Sequence, residues 1–543
     1  MTERLLAGAQ RLRLREDNRR WWTLVAMCFA LFMIMLDNTV VNVALPSIQR
    51  ELHANLSALE WTINAYTLSF AVLLVTGGRL GDIFGRRRAF LVGVVVFALS
   101  SAAIGLAPTD NALVAGRAIQ GIGAALMMPA TLSIITNAFP AHERGKAIGT
   151  WAGVSALALA IGPVLGGLLT ESVSWRAIFF LNLPVAAGAV AVTLFAAHES
   201  RDDTVARRID IPGIAALTIG LTGLVLGLVE SNRWGWGSGR IVGLFALAAF
   251  ALVAFVAIEL RARNPMVDFS FFRSRSFLGT NLVAFVVSFA MLAMFFFMAL
   301  YLQNILGYSP LQAGLRFLPS TLCVMAVGPI AGRLTDRLGP RNLIVGGLVL
   351  VAGSLLWQSR LGVHTGYGLL LPGFVGMGIG IALVMSPMST AAMNAVHVSK
   401  AGVASGVLSM SRMVGGTFGV AAMGALVASL GRSKLQTLLP ALPAARRNSL
   451  VDALGGGAAS GGGHSSGQVV SAMREAYVYA LSNGLRLAAG VALAGALIAL
   501  ALVEPRPAEA PEPLPGEAVD VAAATPAAEA ARGELAHEPA GVS

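Results

Sequence analysis

Charge is what this chain has least of. Only 12% of its 543 residues are Asp, Glu, Lys or Arg, while 56% are hydrophobic. A soluble domain carries about 25% charged residues, so the surface of a protein this size could not be coated for water. Cysteine is nearly absent as well. Cys28 and Cys323 are the two, both inside apolar runs, and no disulfide framework follows from them. No H-E-x-x-H pattern occurs and no Walker A pattern (G-x-x-x-x-G-K-S/T). The absence of these patterns argues against a zinc hydrolase of that type and against ATP as the energy source.

Long apolar runs take the place of charge. Fourteen are found, at 22–45, 59–80, 89–107, 111–138, 147–170, 177–197, 212–230, 240–260, 277–304, 315–334, 342–359, 367–390, 403–429 and 477–503. Each approaches or exceeds the length a helix needs to cross a bilayer, about 20 residues. The runs lack period-2 alternation and are twice a barrel strand's length. The expected fold class is therefore an all-α polytopic membrane protein. The first run follows an Arg-rich head, as in a secretory signal, but it is too long for an h-region and no small-residue cleavage site follows. It is read as a retained first helix.

The net charge of +11 does not point to nucleic acid, because of where the cations lie. With the N-terminus in the cytoplasm, the larger share of Lys and Arg falls on the cytoplasmic side. That bias predicts a multi-pass protein of the plasma membrane with both termini inside. Residues 1–21 form a basic head that either meets anionic lipid or only sets topology. The stretch 431–476 is the longest outside loop and contains "GGGAASGGGHSSGQ". Gly463–Gly467 fits G-x-S-x-G, yet it lies in low-complexity glycine rather than on a strand-to-helix turn, so no hydrolase is inferred. The Ala-, Pro- and Glu-rich tail 504–543 is expected to be disordered.

An internal repeat organises the rest. "GRLGDIFGRR" at 78–87 and "GRLTDRLGPR" at 332–341 agree at six of ten positions. One copy follows span 2 and the other span 10. That shift predicts two six-helix bundles, 22–200 and 277–503, separated by two inserted helices within 201–276. Parallel halves of this kind are a transporter architecture, with a site near the midplane.

Asp37, Arg117, Arg412 and Arg486 stand inside spans. Asp37 interrupts "LFMIMLDNTVVNVALP", where a carboxylate costs about 2.5–3.5 kcal/mol on the insertion scale. With an exit near Leu45 it sits about 12 Å from the outer end, and Arg117, running the other way, about 9 Å. Buried opposite charges at matching depth should pair.

Four motifs, taken together and in order, resemble a known family. They are "LDNTVVNVALP" (36–46), "GGRLGDIFGRRR" (77–88), "LVAGRAIQGIGAA" (113–125) and "GTWAGVSALALAIGPVLGG" (149–167). Over residues 20–503 the chain looks like a fourteen-helix drug:proton antiporter of the major facilitator superfamily, EmrB/QacA type. Ala158 departs from the fifth-helix pattern, which usually has glycine there.

The resemblance implies roles. Helices 1 and 4 would line the central cavity, making Asp37 and Arg117 the proton-coupling pair, with a static packing ion pair as the alternative. Gly78, Gly81, Asp82, Gly85, Arg86 and Arg87 would form a cytoplasmic gate, mirrored by Gly332, Asp336, Gly339 and Arg341. Gly149, Gly162, Pro163, Gly166 and Gly167 would form the antiporter motif, whose small residues also suit ordinary helix packing. Asn38, Met291, Met294, Phe295, Gln303 and Arg412 are candidates for a substrate cavity; Met and Phe make a deformable wall, although they are equally at home in core or lipid contact.

The function implied is proton-coupled export of amphipathic or hydrophobic small molecules, with protons as coupling ion, no cofactor, no metal and no nucleic-acid partner. It is not read as an enzyme. Among the spans Asp37 is read as the one interior acid, with Glu230 and Glu259 at span ends, which favours neutral or monocationic substrates. A proton-coupled importer on the same fold is distinguished by flux direction. A non-transporting receptor or scaffold is distinguished by indifference of dye accumulation to gradient collapse.

Overall fold

A computed structural model describes residues 16–505 apart from 202–209, 263–264, 266, 268, 397–400, 442, 444–449 and 451–466. The Gly/Ser stretch, most of the basic head and the tail beyond 505 lie outside the described residues.

Among those residues there are fourteen successive helical segments and no strand. They are α1 (Glu16–Leu52), α2 (Leu56–Phe84), α3 (Arg86–Gly105), α4 (Asp110–Ala138), α5 (Ala141–Ser172), α6 (Ala177–Ala196, interrupted at Leu181), α7 (Ile211–Trp234), α8 (Gly239–Arg261), α9 (Arg275–Leu300), α10 (Pro310–Leu338), α11 (Pro340–Gln358), α12 (Tyr367–Asn394), α13 (Ala401–Leu438) and α14 (Gly467–Leu502). Among the described residues, thirteen of these helices are long and apolar enough to cross a membrane. The chain is a multi-pass membrane protein.

Local chemistry sets the helix ends. Asn55, Thr109, Asp210, Ser238, Ser274 and Ser309 each accept a backbone N–H of the helix they open. Gly85 and Gly339, which occupy the same place in the repeat, have φ of 110° and 77° and join α2 to α3 and α10 to α11 with no intervening loop. Only glycine takes that backbone without strain.

Several helices outrun their apolar spans. α1 begins at Glu16, α13 continues to Leu438 and α14 starts at Gly467, so the connection read as 431–476 shrinks to 439–466. Hydropathy cannot see polar helical turns that project beyond the bilayer. For the same reason α1 continues past Leu45 through Pro46 to Leu52, and Asp37 lies about 22 Å from its end rather than 12 Å.

Successive helices run in opposite directions. The end where α1 begins is called here the near face and the other the far face. The first six helices pack α1 on α5 and α6 and α2 on α4; the last six pack α9 on α13 and α11 on α12. The two sets meet along α5–α10 and α2–α13. α7 and α8 pair with each other, and α7 docks on α2 and α13. α8 presents Phe250, Val253 and Leu260 outward, each more than two-thirds exposed, as a lipid-facing helix does.

Candidate functional site

The centre of the first six helices is polar. Asp37 on α1 and Arg117 on α4 are each 1% exposed and form an ion pair through Arg117 Nη1 and Asp37 Oδ2. Gln120 completes the cluster. Its Nε2 donates to Asp37 Oδ1 at 3.2 Å, and its Oε1 accepts from Arg117 Nη1 at 2.7 Å. Arg117 Nε donates to the Thr62 carbonyl of α2 at 2.9 Å. The guanidinium also lies over the Tyr66 ring, 4.2 Å from its centroid. A buried arginine is tolerable only when its donors and charge are met in this way. The sequence signals both charges. Gln120 could have been found as the residue one helical turn after Arg117; Tyr66 and Thr62 carry no such signal.

The cluster is coupled to α5 through α1. A Cβ at Gly162 would overlap Thr39, and one at Gly166 would lie 2.8 Å from the Val40 carbonyl oxygen. Both contacts fall within one turn of Asp37. Gly167 faces α10 instead, where a Cβ would sit 2.7 Å from Leu311 Cα, and the Pro163 carbonyl lies against Gly314. The stripe thus lets α5 touch α1 and α10 at once. Ala158, the departure from the motif, is fully buried. The surroundings of Gly149 lie outside the described residues.

At the near face Asp82 does not reach across to the other set of helices. Its Oδ1 accepts from Arg86 Nε at 2.8 Å, one turn along the same motif. The first N–H groups of α3 are capped by Glu199, which accepts from the backbone of Arg87 and Arg88 at 3.0 and 3.2 Å. Arg87 Nη2 donates to the Leu194 carbonyl at 3.1 Å. Gly81 approaches Ala89 and Gly78 approaches Pro129, both with room for a Cβ or nearly so. The tightest approach is at Gly77, where a Cβ would overlap the Ala125 carbonyl. Sequence reading singled out neither Glu199 nor Gly77. In the second copy Gly332 lies near Ser386 and Arg341 is half-buried; the side chain of Asp336 lies outside the described residues.

The candidate cavity residues separate into groups. Met291, Phe295, Asn38 and Arg412 are partly exposed, while Met294 is fully buried among apolar neighbours. Phe295 packs on Phe317 at 5.1 Å. Arg412 Nη2 donates to Ser409 Oγ at 3.1 Å. Gln303 sits in a π-helical turn, Tyr301–Ile305, that ends α9, and its Nε2 donates to the Val43 carbonyl of α1 at 2.8 Å. Such turns are frequent where a helix serves a function.

One expectation about acids needs correction. Glu60 on α2 is a further buried acid, 3% exposed; Glu230 and Glu259 lie near the ends of α7 and α8, as expected, and are buried at 7% and 2%. Glu60 lies four residues into its helix, where hydropathy places the membrane boundary.

A many-helix membrane protein with an ion pair at its core and two sets of six helices in contact is a secondary transporter in its build. Comparison with known proteins agrees. The chain belongs to the Major Facilitator Superfamily, whose family model matches residues 27–420. It is 36% identical over 505 residues to the tetracenomycin C resistance and export protein of Streptomyces glaucescens, covering 92% of this chain and 94% of that one. It is 38% identical over 408 residues to the multidrug resistance protein Stp of Mycobacterium tuberculosis, covering 75% and 76%. The puromycin resistance protein of Streptomyces alboniger is 40% identical over 411 residues, covering 75% and 81%. Among solved structures, a bacterial homologue of the human lysosomal transporter Spinster shares the fold with a TM-score of 0.60 at 17% identity, covering 90% of this chain and 98% of that one.

Proposed function

We propose that this protein is a proton-coupled antiporter that exports amphipathic or apolar small molecules across the cytoplasmic membrane, with both termini in the cytoplasm. Relatives named for antibiotic resistance and export support the direction and the substrate class. The observation that carries the coupling is the Asp37–Arg117–Gln120 cluster. The reading takes 22–200 and 277–503 as the two moving bundles and the near face as cytoplasmic. It requires no catalytic residue and no cofactor.

The chemistry follows from the contacts. When the site opens to the far face, a proton neutralises Asp37. Arg117 then keeps the Thr62 carbonyl, Gln120 Oε1 and the Tyr66 face but loses its counter-charge, so α1 and α4 are held less tightly. Movement of α1 reaches α5 and α10 through Gly162, Gly166 and Gly167. Opening toward the near face releases the proton and re-forms the pair. Met291, Phe295, Asn38 and Arg412 supply a soft wall with two polar groups for ligands of varied shape. Glu60 and Glu230 lie where α2, α7 and α13 meet, and neutral or monocationic substrates remain the expectation. One inward proton yields about 2.3 kcal/mol per 100 mV and about 1.4 kcal/mol per pH unit, enough to drive such export.

The test is dye transport in inside-out vesicles with an internal pH probe. Wild type should release stored protons when substrate is added, and Asp37→Asn should not. Equal behaviour of the two assigns Asp37 a packing role only. Flux in the import direction under the same gradient overturns the exporter reading.

A further inference from the structure

We propose that a cavity at the near face, between the start of α1 and the ends of α4 and α6, holds the phosphate headgroup of an anionic phospholipid. The cavity measures about 430 Å3, within the range of small-molecule sites, about 300–1,000 Å3. Its polar wall is Arg19, Arg20 and Thr23 of α1, Asn137 of α4, and His198 and Ser200 just beyond α6. Three separate stretches of chain thus converge on it. Asp37 lies about 27 Å further along α1 than Arg19, so this site is separate from the central ion pair.

The charges around the cavity leave a positive excess. Each nearby acid is matched by its own cation: Glu143 meets Arg20 at 2.9 Å, Asp82 meets Arg86 at 2.7 Å, and Glu199 meets Arg88 at 3.7 Å while it caps α3. Arg19 and Arg87 remain. Both grip the last turns of α6. Arg19 Nε donates to the Ala196 carbonyl at 2.9 Å from within the cavity wall, and Arg87 Nη2 donates to the Leu194 carbonyl at 3.1 Å from beside it. A carbonyl fixes a guanidinium without neutralising it, and among the described residues no carboxylate forms an ion pair with either arginine. Arg19 holds α6 with Nε alone, which leaves its two terminal nitrogens to donate. The exposed His198 ring and the Ser200 hydroxyl bring further donors. A phosphodiester, with one charge and two free oxygens, suits an arginine presented in this way.

The surroundings decide the form in which the phosphate arrives. Trp22, Val25 and Phe29 follow one another along α1 on the side adjoining the cavity, and all three are exposed. Leu194 and Phe195 are exposed at the end of α6. Phe29 lies against Gly188, so these residues border the seam between α1 and α6. Exposed apolar side chains on a membrane helix face acyl chains, and a tryptophan among them marks the level of the headgroups. The cavity opens where that apolar surface ends. A basic pocket between helix ends at this depth suits a lipid phosphate, with its chains lying along the seam. Free phosphate offers the same oxygens but would leave the seam unused. A lipid bound there would tie α1, α4 and the chain beyond α6 together at the near face, whichever way transport runs.

The experiment is native mass spectrometry of the purified full chain, released from micelles that carry phosphatidylglycerol or phosphatidylcholine with matched acyl chains. Wild type should retain one phosphatidylglycerol under activation that strips phosphatidylcholine. Arg19→Gln should lower that retention about tenfold or more, the effect of one charge-assisted bond. Arg19→Lys, which keeps the charge without the fork, should recover part of it. Arg261→Gln, at the near-face end of α8, should leave it unchanged. Equal retention of the two lipids by wild type overturns the proposal, and that comparison stands even if Arg19→Gln fails to fold. A loss in Arg261→Gln as large as in Arg19→Gln also overturns it, since the attraction would then belong to the basic surface as a whole. Excess inorganic phosphate should leave the lipid bound, because the chains hold it as well. Displacement by phosphate would assign the cavity to the free anion and refute the lipid.

Discussion

The strongest prediction concerns the pair at the core and can be worked as a double-mutant cycle. Asp37→Asn removes the charge opposite Arg117 but leaves the guanidinium its bonds to the Thr62 carbonyl and Gln120 and its place over Tyr66. Breaking a buried pair from one side costs about 3–5 kcal/mol; with three contacts retained, the expected loss is near 3 kcal/mol. Arg117→Gln strands Asp37 with the Gln120 amide as its one remaining described donor, so the loss should approach 5 kcal/mol. The double variant removes both charges and leaves ordinary amide hydrogen bonding, with an expected loss of about 1–2 kcal/mol. The interaction energy is then about 6 kcal/mol. Unfolding of the purified chain by SDS in mixed micelles, followed by tryptophan fluorescence, measures all four corners. If the two single losses add to the double within about 0.5 kcal/mol, as independent sites do, the charges do not sustain each other and the reasoning about the cluster fails.

Two further outcomes follow from close contacts. Gly166→Val drives side-chain atoms into the Val40 backbone and should destabilise by about 1–3 kcal/mol, lowering the thermal midpoint in detergent and abolishing coupled efflux; Gly153→Val, which meets no neighbouring atom within 4 Å of its Cβ, is the control. Glu199→Ala removes the acceptor that caps α3 and should cost about 1 kcal/mol, with faster amide exchange at Arg87 and Arg88, whereas unchanged exchange would show that the cap is not made in the membrane.

Apolar run length and the matched depth of Asp37 and Arg117 were enough to read fourteen helices and the Asp37–Arg117 pair. Both are local signals: a span is a composition, and an ion in a span stands out against it. What escaped depends on tertiary contact. Gln120 and Tyr66 are ordinary residues for a membrane helix until α1 and α2 close on Arg117. Glu60 stands beside Trp61 at the start of a span and reads as an interfacial residue; only the docking of α7 and α13 buries it. The loop motif set Asp82 in a basic loop but did not single out Arg86 as its partner, and the cap of α3 comes from Glu199, in the chain that returns after α6. Helix ends were misjudged wherever polar turns continue a helix beyond its apolar core.

The far face poses a question of magnitude that bears on the transport cycle. Described polar contacts between the two sets of six helices at that end are few: Thr67 with Thr417, Gln303 with the Val43 carbonyl, and the backbone N–H of Leu311 with Glu171 at 3.0 Å. Two neutral bonds contribute about 1 kcal/mol each and one to a carboxylate about 1.5–3, so the three together hold the face by roughly 4–5 kcal/mol. One proton crossing at ordinary gradients delivers a similar amount, roughly 3–5 kcal/mol. A latch much stronger than this would not open on one proton, and a much weaker one would leak. Shifting the balance by one bond should therefore be visible. Glu171→Ala removes the charged acceptor and should favour opening at the far face by about 1.5–3 kcal/mol, a tenfold or greater change in population. A cysteine placed at Gly314, where α5 and α10 touch through the Pro163 carbonyl, would already force the contact apart, so the reporter belongs at exposed Leu315. Its labelling rate by a membrane-impermeant thiol reagent, compared in Glu171→Ala and in the parent, reads the opening. Equal rates would mean that the far face is held by apolar packing and that the three polar contacts are incidental to the switch.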